Sequence, residues 1–368
     1  MICRRQIKVS VKPFQRLAEC EAEPHKKLPT SVFLKGADDS TQGNFSQVKK
    51  VPLFYFLKIK ISVIDSNVLF IVPLNQEIEK ITKVGFHRPF FIFKEGTSMK
   101  FGFIGAGNMA GAIIKGMTIG TKSYDGKDIF VTSKTVTSAR KLAEACGAVA
   151  VETAAEVAAQ SDVLVLAVKP HVLAAVVPQL KEEIAAKKPL VVSIAAGKTL
   201  DYLASLLPEG TPIARVMPNI NAKIGAATNG MCVKGYVTEE QKAIVCGMFE
   251  TIGTVIEVEE TQFGIFTVLA GSAPAFAYLY MDALARAAVK AGMPKKQALE
   301  IAAATVEGSA KMVLESGEHP MALVDQVCSP GGTTIEGITA LQASGFEATL
   351  TKAFDAVLEK DQKIAGKK

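Results

Sequence analysis

Between residues 100 and 217, short apolar runs alternate with Ala-rich stretches of helical character. The runs lie at 100–104 (KFGFI), 128–131, 162–168, 190–194 and 213–217, and the stretches between them include 112–117, 138–145 and 154–160. Such alternation predicts a parallel, doubly wound α/β sheet, with ligands at the carboxyl ends of its strands. After about residue 260 the strand-like runs stop. Segments 263–291, 294–316, 320–327, 332–342 and 346–364 read as helices, two with Pro near the first turn and several ending near Gly. These helices are rich in Ala and Leu and poor in polar surface, 283–291 being an example, so they are expected to be buried in a dimer.

The turn after the first run carries Gly105-Ala106-Gly107-Asn108-Met109-Ala110, which fits G-x-G-x-x-G/A between a strand and a helix. The first Gly permits the tight turn and the second lets backbone approach a pyrophosphate. The small Ala110 allows close helix packing, and the helix N-terminus offers unpaired N–H groups to the phosphates. The fold class expected is therefore α/β, an N-terminal Rossmann-like sheet followed by an all-helical dimerisation domain. The other loops at strand ends are Thr132-Ser133-Lys134, Lys169-Pro170-His171, Ala195-Ala196-Gly197 and Pro218-Asn219. The second strand ends without an Asp or Glu to accept from a ribose 2′-OH. Ser133 and Lys134 offer a hydroxyl and a positive charge suited to a 2′-phosphate, which favours NADP and leaves NAD as the lesser choice; a solvated surface lysine is the alternative for Lys134.

Composition divides the chain unevenly. Of 368 residues, 49% are apolar and 21% charged, which excludes disorder as the main state, and the net charge is +6. Residues 1–98 carry +7 and hold 10 of the 19 Phe, whereas 99–368 carry −1. The basic charges are interspersed with apolar residues and form no run, so neither nucleic acid nor a membrane is expected as a partner. Lys94-Glu95-Gly96 is encodable as the purine-rich signal that precedes bacterial start codons, ahead of Met99. Residues 1–98 are accordingly expected to be translated upstream sequence, with a genuine N-terminal extension as the alternative, and 99–260 and 261–368 to be the two domains. The most apolar part of the leader, 51–74, is broken by Lys58, Lys60 and Asp65, so no spanning helix is expected there or elsewhere. Residues 1–10 make a poor secretory signal, and a cytoplasmic location is expected. Six scattered Cys and four scattered His give no metal-ligand spacing, so no metal site is expected.

Within the helical part, Ser329-Pro330-Gly331-Gly332-Thr333-Thr334 combines a fixed turn, two glycines that expose consecutive N–H groups and two hydroxyls at a helix start. This is a nest suited to a carboxylate or phosphate; a plain helix cap is the alternative.

GFIGAGNMA (102–110), AVKP (167–170), SIAAG (193–197), RVMPN (215–219), GSAPAF (271–276) and DQVCSPGGTT (325–334) together resemble the pyrroline-5-carboxylate reductase family, in order and at family-like spacing, over 99–368. The resemblance implies NAD(P)H-dependent reduction of 1-pyrroline-5-carboxylate to L-proline, in homodimers that assemble in some members into decamers. It implies dinucleotide contacts from Ile104 to Met109, Ser133, Val168, Lys169, and Ala195 or Ala196. It places the substrate at Thr333 and Thr334, with Ser329, Gly331 and Gly332 shaping the carboxylate nest. Gln326 stands where the family often has Asn, and Glu260 matches an acidic position near the ring nitrogen. Departures are Ala273 for Gly, Asn219-Ile220-Asn221-Ala222 for Asn-Thr-Pro-Ala, and Ala154 where an Asn often touches the adenosine ribose. A protonated C=N accepts hydride readily, so Thr334 is expected to hydrogen-bond its nitrogen, with no His or Lys acid required. A β-hydroxyacid dehydrogenase, whose catalytic lysine is lacking from 271–280, and an NADP-sensing protein are the competing classes.

Overall fold

The computed structural model describes residues 59–63, 69–73, 98–121 and 124–364. The chain falls into two compact units, 1–97 and 98–368. In the first unit, β1 (Ile59–Val63) and β2 (Leu69–Pro73) form an antiparallel pair with Ile61 opposite Ile71. The question of upstream translation otherwise falls outside the described residues.

The second unit opens with β3 (Phe101–Ile104), α1 (Asn108–Lys115), β4 (Ile129–Thr132), α2 (Val136–Cys146), β5 (Val149–Ala150), α3 (Ala154–Gln160) and β6 (Val163–Leu166). It continues through α4 (Leu173–Val176), α5 (Lys181–Lys187), β7 (Leu190–Ser193), α6 (Leu200–Leu206), β8 (Ile213–Met217), β9 (Ala227–Lys234), α7 (Glu239–Glu250) and β10 (Gly253–Glu257). The strand order is β10-β9-β8-β7-β6-β3-β4-β5. Strands β3 to β8 run parallel; β9 runs antiparallel to β8, and β10 parallel to β9. The order in which strands are added to the sheet thus reverses at the β3–β6 pair, the switch point where a Rossmann sheet binds dinucleotides.

Every residue of β3, β4, β6 and β7 is buried, as parallel strands covered on both faces require. Their side chains alternate between two cores. Phe101, Phe103, Ile129, Val131, Val163 and Val165 join α1 and α7 on one face, while Ile104, Phe130, Leu164 and Leu166 join α3 to α6 on the other. Local signals fix the helix ends. Thr153 and Glu156 form a capping box at the start of α3, and Gly147 at φ 69° closes α2.

Beyond β10 the chain is helical. A single helical column, Glu260–Lys290, comprises a 3₁₀ turn, α8 (Phe263–Phe266), a π segment (Thr267–Ser272) and α9 (Ala273–Lys290). It is followed by α10 (Lys295–Ser316), α11 (Pro320–Val327), α12 (Thr333–Ala343) and α13 (Phe346–Ile364). The column is long and apolar enough to cross a membrane by length and composition, and little of it is buried. Residues 263–281 lack any charged side chain, and Thr, Gly, Ser and Pro punctuate the run. Leu269, Leu279, Ile301, Met312, Leu314 and Val327 stand exposed on these helices. An exposed apolar surface of that extent marks an interface.

Candidate active site

The glycine turn lies at the switch point. Gly105 has φ +118°, and a Cβ there would sit 2.5 Å from the Ala167 carbonyl oxygen, so β3 and β6 approach in a way only glycine permits. Its N–H donates to Thr132 O, and Ile104 O accepts from Ala167 N–H, which ties the turn to the ends of both neighbouring strands. Gly107 differs: its φ is −78° and a Cβ would meet nothing within 4 Å. That open side faces outward at the start of α1, whose first turn has no capping side chain. An unobstructed backbone before an uncapped helix N-terminus fits a pyrophosphate. NADP is therefore compatible with the residues present.

Around this cradle the structure places the other strand-end residues. Ser133 Oγ donates to Thr135 O, which folds the loop after β4 and leaves Lys134 exposed beside it. Arg140 is turned to Glu152, 3.7 Å away. Ala106 and Met109 are half-buried, and Asn108 is exposed. After β6, Val168 and Pro170 are half-buried and Lys169 is exposed; after β7, Ala195 is buried and Ala196 exposed. These groups line one edge of the sheet, as the carboxyl ends of parallel strands must.

Two residues expected at the site, Asn219 toward the dinucleotide and Glu260 toward the substrate, have side chains that already hold partners within the protein. Asn219 is 5% exposed; its Nδ2 donates to Ala270 O (3.0 Å) and its Oδ1 accepts from Asn221 N–H (3.2 Å). Its carboxamide is thus engaged within the protein through both its nitrogen and its oxygen. Glu260 Oε1 accepts from Leu200 N–H (2.5 Å), the first residue of α6, and from Arg215 Nη1 (3.2 Å). That oxygen serves a helix N-terminus and a buried cation. Sequence reasoning assigned no role to Arg215, which is 7% exposed and lies 4.2 Å over the Phe263 ring. A lone Arg inside the apolar run IARVM was the available signal. Next to it, burial pushes the Cys232 thiol up to about 12, against the smaller, opposing effect of Arg215.

The expected carboxylate nest lies on the helical part. Gly331 has φ +66°, Gly332 N–H donates to Ser329 O, and Gly332 precedes α12 without a capping side chain. Ser329, Gly331, Thr333 and Thr334 are exposed and Gly332 half-buried. Gln326 Nε2 donates to Glu318 Oε2 (2.6 Å). Helices α11 and α12 contain no buried residue, so within one chain the nest stands on uncovered helices. His319 caps α11, its Nδ1 accepting from Met321 N–H. Among the described residues no group of His, Cys, Asp and Glu is placed to hold a metal ion.

Comparison with known proteins agrees with this geometry. The family profile described as "Pyrroline-5-carboxylate reductase dimerisation" matches residues 260–364, and "NADP oxidoreductase coenzyme F420-dependent" matches 100–197. The pyrroline-5-carboxylate reductase of Escherichia coli is 41% identical over 266 residues, covering 72% of this chain and 98% of that protein. The solved pyrroline-5-carboxylate reductase of Coxiella burnetii superposes with a TM-score of 0.68 at 32% identity, covering 73% and 98% of the two chains. The Plasmodium falciparum pyrroline carboxylate reductase, solved with NADP bound, gives a TM-score of 0.64 at 28% identity, with coverage of 73% and 98%. A chain that spans nearly the whole length of such relatives, with the dinucleotide cradle and the dimerisation helices both in place, belongs to the pyrroline-5-carboxylate reductase family.

Proposed function

We propose that this site reduces the C=N bond of 1-pyrroline-5-carboxylate to give L-proline, the final step of proline biosynthesis, with NADPH as reductant and NADH as a poorer substitute. The chain is an NAD(P)H-dependent oxidoreductase. When bound, the nicotinamide supplies the hydride. The turn from Ile104 to Met109 holds the pyrophosphate through backbone N–H groups, and Ser133 and Lys134 receive the 2′-phosphate. Val168, Lys169, Pro170, Ala195 and Ala196 bound the dinucleotide along the strand ends. Ser329, Gly331 and Gly332 shape the nest in which Thr333 holds the substrate carboxylate, and the Thr334 hydroxyl donates to the ring nitrogen. That bond matters most once the nitrogen becomes an amine, its proton having come from water. Gln326, turned to Glu318, borders this nest, and Glu260, its Oε1 held by Arg215 and the start of α6, is the acidic residue near the ring nitrogen.

The helical module pairs two copies of the chain, and we infer that the pair covers the bare faces of α11 and α12, with association into a decamer as the larger assembly. Domains 99–260 and 261–368 divide the labour between dinucleotide and substrate, and we place the reaction in the cytoplasm. The observation that carries this reading is the coexistence of an open glycine cradle and a carboxylate nest on a dimerisation module. Its test is Thr334→Ala: loss of one hydrogen bond that is strongest in the transition state lowers kcat/KM by about tenfold. Unchanged kinetics remove Thr334 from the mechanism.

A further inference from the structure

The π segment of the helical column has a specific cause. In a regular α-helix the Ala270 carbonyl would accept from residue 274, which is a proline and has no N–H. The helix widens there, Ala273 N–H reaching Val268 O, and the Ala270 oxygen takes its bond from the side chain of Asn219 instead, at 3.0 Å. Asn219 is buried and stands two residues past the end of β8, on the edge of the sheet where the strand-end loops gather. Its Oδ1 and its carbonyl both start the following 3₁₀ turn, accepting from Asn221 and Ala222. Gly271 comes so close that a Cβ would touch the Met217 methyl at 3.4 Å. A second bond, Tyr278 OH to Asn221 Oδ1 at 3.2 Å, joins the same loop to the column one turn beyond Pro274.

We propose that Asn219 is a positioning residue: its carboxamide replaces the donor that Pro274 lacks and thereby sets where the helical column stands against the carboxyl end of β8. The inference rests on the reductase reading, because it is hydride transfer that this placement serves. The column carries the substrate-binding helices, and a small error in placement at a reacting centre costs far more in turnover than in binding. Arg215 and Glu260 anchor the base of the column; Asn219 fixes its middle, opposite the loop that follows β8.

The proline makes the idea separable from simple loss of structure. In the full-length protein, Asn219→Ala removes the side-chain donor to the Ala270 oxygen, and kcat falls about tenfold while KM for NADPH changes less than about threefold. Pro274→Ala added to Asn219→Ala supplies a backbone N–H to the same oxygen, so the double variant regains thermal stability, yet kcat stays low because the Asn219 tie between the loop after β8 and the middle of the column is still missing. Recovery of kcat together with Tm in the double variant overturns the proposal, as does a wild-type kcat in Asn219→Ala. Failure of both variants to fold also overturns it, since the bond would then be structural only. Wild-type turnover measured alongside separates the two readings: an inactive wild type refutes the reductase assignment, and this inference with it.

Discussion

Replacing Gly105 by Ala and, separately, Gly107 by Ala distinguishes the scaffold of the cradle from its ligand face. At Gly105 the added Cβ would lie 2.5 Å from Ala167 O and 2.7 Å from Ala167 C, both backbone atoms that cannot turn aside. Real Cβ atoms stay beyond about 3.0 Å, so β3 and β6 must part by about 0.5 Å or more. The φ of +118° adds strain that side chains other than hydrogen rarely accept. Together these cost about 2–4 kcal/mol, or about 5–10 °C in Tm at fixed protein concentration. At Gly107 the added Cβ meets nothing within 4 Å and φ is −78°, so stability should change by less than about 0.5 kcal/mol. The methyl projects instead into the space assigned to the pyrophosphate, and NADPH affinity should fall by about tenfold or more. Thermal melting and quenching of NADPH fluorescence read the two effects independently. A Gly107→Ala protein that melts and binds NADPH like wild type would refute the placement of the dinucleotide over this turn.

Lys134→Ala should raise KM for NADPH by about fivefold and leave KM for NADH unchanged, because only the former carries a 2′-phosphate; equal effects on both would count against the specificity assignment. Glu260→Ala leaves the buried Arg215 guanidinium unpaired and should destabilise by about 2 kcal/mol, whereas Arg215→Met together with Glu260→Ala should recover part of that loss, as denaturant unfolding of the two variants will report. Cys232, raised to about 12 by burial, remains a neutral thiol well above neutral pH, so iodoacetamide at mildly alkaline pH should leave it unmodified in the native protein and label it after unfolding; rapid native labelling would contradict its burial.

The sheet and helices were legible where one local signal decided the outcome. Continuous apolar runs marked β3, β4, β6, β7 and β8, and helix 154–160 matched its sequence pattern because Thr153 and Glu156 fix its start. Strands β5, β9 and β10 were missed. Residues 227–230 (ATNG) carry no apolar run, and Gly230 is there to admit the Phe266 ring, which would stand 2.6 Å from a Cβ. That demand comes from a residue far along the chain, so no local pattern announces it. The glycine cradle could be read because its chemistry lies within six consecutive residues. The internal partners of Asn219 and Glu260, namely Ala270, Leu200 and Arg215, could not be read from the sequence because they lie 51, 60 and 45 residues away and appear only in the folded chain. The segment 329–334 stood out from its residues alone, whereas the bareness of the helices on either side, which contain no buried residue, shows only in the folded chain.

The most direct test of the account is to mix the full-length chain with NADPH and 1-pyrroline-5-carboxylate, follow the loss of NADPH absorbance and measure the proline formed. One proline for each NADPH oxidised, with slower turnover on NADH, is the result predicted here. A folded, dimeric, NADPH-binding protein that forms no proline would contradict it.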